Sequence, residues 1–85
     1  MAEDRTIRRK IWLTFSEELV DQPVIYKVGH EFDVVTNIRA ASVSNELGVM
    51  ALDLTGPPEE IARAIEYMQK IGVVVEPIEK SIVEG

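Results

Sequence analysis

His30 is the only imidazole in the sequence, and it stands beside Glu31 with no serine at a nucleophile–base spacing and no cysteine anywhere. It reads as a surface residue of a helix. The acids Glu17, Glu18, Asp21 and Asp33 fall in loops and caps, where carboxylates serve as solvated ends and turn formers. None is marked as half of a general acid–base pair. The absence of cysteine removes thiolate zinc, iron–sulfur and disulfide chemistry, and one histidine makes no imidazole metal site. Gly56 is a lone glycine followed by Pro57 and Pro58, which remove two of the amides that would grip a phosphate. No catalytic group, metal or cofactor is expected, and binding is the chemistry left to these residues.

The elements that must position any binding residue follow from periodicity. From Arg8 to Phe15 the residues alternate, with Ile11, Leu13 and Phe15 on one face and Lys10, Trp12 and Thr14 on the other, the pattern of a half-buried strand. Asp21-Gln22-Pro23 supplies capping oxygens and a first-turn proline, and Val24, Ile25, Val28 and Phe32 recur at helical spacing, predicting a helix from about Pro23 to Phe32. Gly29 inside it marks either a close backbone approach or an early helix end. Val34, Ile38 and Ala40 then alternate with Val35, Asn37 and Arg39. After a polar turn over Ser42 to Leu47, Met50, Leu52 and Leu54 alternate with Val49, Ala51 and Asp53. Together they form a hairpin.

Thr55 to Glu60 is a strong helix start, with prolines where no amide donor is needed and acids at the positive end of the dipole. Ile61, Ala64, Ile65, Met68 and Ile71 make its apolar stripe, and Glu59–Arg63 and Glu66–Lys70 are favourable i,i+4 pairs. Gly72 suits a left-handed cap, and Val73 to Glu76 forms a fourth strand ended by Pro77. The order is βαββαβ. Interleaved right-handed crossovers make it a ferredoxin-like α+β sandwich, a four-stranded antiparallel sheet ordered 4-1-3-2 with two helices on one face.

At 85 residues the chain is a single small domain, expected over residues 6–78 with 79–85 as a tail or the start of a linker. Hydrophobic content of 46% and charged content of 28% are globular values, too apolar for disorder. No stretch approaches the roughly 18–20 apolar residues that cross a bilayer, and the start carries no apolar signal region, so a cytoplasmic location is expected. A net charge of -6 repels a phosphate backbone, and the basic cluster Arg5, Arg8, Arg9, Lys10 is short, which argues against nucleic acid as a partner.

With Ile11, Leu13, Phe15, Ile38, Ala40, Met50, Leu52, Leu54, Val73 and Val75 turned to the helices, the other face has no helix left to cover it. That bare face mixes Trp12, Val35, Val49 and Val74 with Lys10, Asn37, Arg39 and Asp53, as expected for a patch that meets a second subunit or a ligand.

Around Thr36-Asn37-Ile38-Arg39-Ala40-Ala41 the chain resembles the NIL domain, an ACT-like module named for an Asn-Ile-Leu motif, with arginine here in the third place. The likeness extends through Trp12-Leu13-Thr14-Phe15, Phe32-Asp33-Val34-Val35, Gly48, Leu52 to Gly56, Ala64-Ile65-Glu66-Tyr67-Met68 and Gly72-Val73. NIL domains end the ATPase subunits of methionine-import ABC transporters, where they bind methionine and pair with one another. They also precede 4Fe-4S ferredoxin modules.

The resemblance implies a regulatory domain that senses methionine or a related small amino acid as a homodimer. Its other context implies an interaction module in a ferredoxin-type electron-transfer or sulfur-transfer assembly, as a free-standing chain or a piece of a longer one. By the same likeness Asn37 contacts ligand, its amide donating and accepting, with Ile38 packed beneath it. Arg39 either meets a ligand carboxylate or forms an ion pair with Asp53 across the hairpin. Trp12, Val35, Val49 and Val74 are the expected dimer or partner surface.

Overall fold

The structure, a computed structural model, describes residues 5–20, 22–44 and 46–78. The expected tail over 79–85 and the expected capping residue Asp21 lie outside these. Alternation in the first strand is realised over Ile7–Ser16 (β1), where Ile11, Leu13 and Phe15 are buried and Trp12 faces away. A one-turn helix, Glu17–Val20 (α1), follows directly. Only loop was expected there, because four residues carry no helical period. Leu19 holds the turn by entering the core.

The first long helix, Val24–Glu31 (α2), buries Val24 and Val28. Pro23 is its N-cap with no side-chain cap hydrogen bond, so the proline's preset φ starts the helix without a capping oxygen. The hairpin comprises Val35–Val43 (β2) and Leu47–Gly56 (β3). Its turn is shorter than expected: the Ser44 amide donates to the Leu47 carbonyl at 2.8 Å, and Ser44 Oγ accepts from the Leu47 amide at 3.3 Å. The helix Pro58–Lys70 (α3) starts behind Pro57 with Pro58 in the first turn and buries Ile61, Ala64 and Met68. Gly72 at φ +110° turns the chain into Val74–Pro77 (β4).

The sheet runs β2-β3-β1-β4, which is the expected 4-1-3-2 order read from the other edge, and every pairing is antiparallel. Ile11, Leu13, Leu52 and Leu54 from its centre meet Val28, Ile61 and Met68 from the helices. Each such side chain contributes about 1.5–3 kcal/mol through burial. A second contact fastens the α2–β2 corner to α3: the Asp33 amide donates to Glu60 Oε1 at 2.9 Å, and Phe32 packs on Tyr67 with ring centroids 5.6 Å apart. Arg63 lies over Phe32 and pairs with Glu60 Oε2 at 3.1 Å. Arg63 thus pairs at i,i+3 with Glu60 rather than at i,i+4 with Glu59, because Glu60 is the one anchored by the corner.

Two expectations about the helix-side face change. Register slips between Ile38 and Ala40: Ile38 pairs with Leu52, while Ala40 pairs with Ala51. Arg39 is the extra residue of a β-bulge, which sends Ala40 to the bare face and gives its helix-side place to Ala41. Gly29 neither ends α2 nor makes a close approach, since a β-carbon there would meet only the Thr36 side chain, at 3.8 Å.

Candidate functional site

β2 is an edge strand, so residues on either side of it border open space. On the helix side, Ile38, Val43 and Met50 with Phe15, Val24 and Ile25 line an apolar groove of about 240 Å³ between the hairpin and the start of α2. On the bare face, Arg8, Val35, Asn37, Arg39, Asp53 and Thr55 line a polar depression of about 360 Å³.

The depression is set by register. Lys10 and Asn37 both stand across from Asp53, and Arg8 and Val35 both stand across from Thr55, so these side chains share one face by pairing rather than by chance. The bulge then re-aims Arg39, whose Nη1 donates to Asp53 Oδ2 at 3.2 Å. Asp53 is only 3% exposed, and its Oδ1 has no hydrogen-bond partner among the described residues. A buried carboxylate oxygen without a donor carries an unreturned desolvation cost, and such atoms are few in native folds.

The three residues expected to bind ligand therefore do not form one site. Asn37 and Arg39 border the polar depression, whereas Ile38, half-exposed, turns to the apolar groove on the opposite side. It does not pack beneath Asn37, because successive strand residues face opposite ways. The ion pair between Arg39 and Asp53 forms as one of the two readings of Arg39 required. Trp12, Val35, Val49 and Val74 stand on the bare face. Val35 and Val74 are well exposed, and Trp12, at 41%, lies across from Ala51 in the register.

Sequence reasoning missed Arg8 and Thr55 as site residues. Strand parity was the available signal for Arg8, since it shares the parity of Lys10 and Trp12. Asp53 was seen only as a partner for Arg39, although an acid inside the apolar run Val49–Leu54 already marks a buried charge in need of company. The exposed His30 stacks on Tyr26 one helical turn away, centroids 5.7 Å apart; Tyr26 borders the apolar groove, and His30 lines neither concavity. Among the described residues no group of histidine, cysteine, aspartate or glutamate is arranged to hold a metal ion, and no helix is long and apolar enough to cross a membrane.

A four-stranded antiparallel sheet in this order, helices on one face and concavities along its edge strand, defines a ferredoxin-like α+β domain. The chain belongs to the NIL domain family, whose model matches residues 9–77. It is similar to a methionine import ATP-binding protein of Listeria monocytogenes, 34% identical over 71 residues covering 79% of this chain and 21% of that protein. A methionine import ATP-binding protein of Cupriavidus pinatubonensis is 37% identical over the same shares. The chain thus spans about a fifth of the length of the curated relatives it matches. The crystal structure of the C-terminal domain of an ABC transporter ATP-binding protein from Enterococcus faecalis superposes with a TM-score of 0.73 at 25% identity, covering 85% of this chain and 84% of that one.

Proposed function

We propose that this domain is a non-catalytic regulatory module that binds methionine or a closely related amino acid, works as a homodimer, and serves a transporter ATPase domain on the cytoplasmic side. The observation that carries the reading is the depression beside Asn37, which offers an amide, two guanidiniums and an incompletely bonded carboxylate to the charged ends of an amino acid, with Val35 for its apolar side chain. The relatives support it: they are methionine import ATP-binding proteins, and the chain matches a domain-sized share of each. They favour this reading over an electron-transfer partner.

Binding at the domain reaches the ATPase only if the ligand favours one of two arrangements of the assembly, because a ligand shifts an equilibrium by no more than its differential affinity. Calorimetry of the 85-residue chain with methionine and homocysteine tests the first step. Saturable heat with either supports the reading, and an absence of heat at millimolar ligand removes it.

A further inference from the structure

Asp53 is the one buried polar side chain among the described residues with an unpartnered atom, and it lines the depression on the bare face. Arg39 satisfies Oδ2 alone. A group that completes Oδ1 must donate hydrogen bonds, and beside a buried carboxylate a positively charged donor is favoured most. The rest of the depression has the opposite character. Arg8, on β1, adds a second guanidinium across β3 from Arg39 on β2, and Lys10 stands across from Asp53 on the same face, so positive groups outnumber the single carboxylate here in a chain that is acidic overall. That excess of positive charge suits an anionic group, and the planar guanidinium fork suits a carboxylate.

Resting on the amino-acid-binding reading above, we propose that Asp53 and Arg8 are the specificity-determining residues of this site, requiring both charged ends of a free α-amino acid. Asp53 Oδ1 accepts from the α-ammonium and Arg8 donates to the α-carboxylate, while the Asn37 amide serves either end. The ligand class is then the free zwitterion. Esters, N-acylated forms, hydroxy acids and residues within a peptide are rejected, because each leaves one of the buried or charged groups unmatched.

The test is calorimetry with L-methionine, its methyl ester, which lacks the carboxylate, and its 2-hydroxy analogue, which lacks the ammonium. The parent chain should bind each analogue roughly 10- to 100-fold more weakly than methionine, the size of one lost charged hydrogen bond. Asp53→Asn should abolish the preference over the hydroxy analogue and keep the preference over the ester, and Arg8→Gln should do the reverse. Far-UV circular dichroism checks that Asp53→Asn folds, and Arg8, being exposed, gives a second variant that does not depend on the core. Methionine binding with undiminished discrimination in both variants would overturn this assignment while leaving the amino-acid reading intact. No heat with methionine or any other amino acid would end both.

Discussion

A β-carbon placed on Gly56 would begin 2.6 Å from the carbonyl oxygen of Asp33, with the Val34 Cα at 3.3 Å. Both neighbours are backbone, tied down on one side by the Asp33 amide's bond to Glu60, so neither can give way cheaply. Gly56→Ala is therefore expected to destabilise the fold by about 1–3 kcal/mol, the usual cost of overpacking. In a domain this small each kcal/mol lowers Tm by roughly 4–8 °C, so a thermal scan reads the effect directly. An unchanged Tm would mean that the corner is looser than its hydrogen bond implies.

Gly29 should behave in the opposite way. It lies inside α2, and its missing β-carbon points toward space bounded by Thr36 at ordinary contact distance. Gly29→Ala should stabilise by about 0.5–1 kcal/mol through a more restricted unfolded chain. Urea unfolding with an unaltered m-value and a higher midpoint would be the expected signature, and a lower midpoint would reveal a hidden steric demand.

The two glycines show what was legible in the sequence and what was not. Strand alternation in Ile11-Trp12-Leu13 and the proline-led start of α3 are local signals, so the elements and their order could be read residue by residue. Gly56 meets the Asp33 carbonyl, a segment far away in the chain that no local window includes, whereas Thr36 is close to Gly29 in sequence but comes to face it only through the turn from α2 into β2, which helical periodicity does not describe. The Arg39 bulge is a further case: one extra residue in β2 leaves composition and periodicity nearly unchanged, yet it moves Ala40 to the other face and turns Arg39 onto Asp53. The site was half visible for the same reason. Asn37 matched a motif and Arg39 stood where that motif departs, whereas Arg8 joins them only because β1 and β2 flank β3.

The Arg39–Asp53 pair should be strongly asymmetric under mutation. Arg39 is half-exposed while the Asp53 side chain is 4% exposed, so removing the arginine strands a carboxylate that already lacks a donor on Oδ1. Arg39→Ala is expected to cost about 1–3 kcal/mol, and the Arg39→Ala/Asp53→Ala double variant less than the sum of the single changes. A double-mutant cycle by chemical denaturation measures the coupling. Additive effects would show that solvent already screens the pair in solution.

The homodimer carries the last prediction, and the placement of Trp12 makes it measurable. It is the only tryptophan, it stands on the bare face, and Val74 is exposed on the same face beside Thr14. If two chains meet through this face, light scattering at high concentration should give about twice 9.5 kDa, and tryptophan emission should shift to longer wavelength on dilution as the indole regains water. Trp12→Glu and Val74→Glu should each yield a monomer, because an acid at the centre of an apolar contact is desolvated without a partner. Ile38→Glu and Val43→Glu lie on the opposite side of the edge strand β2 and should leave the dimer intact. The reverse pattern would move the contact to the β2 edge, and a single species near 9.5 kDa at every concentration would mean that Trp12 simply covers Ala51 and has no partner to lose.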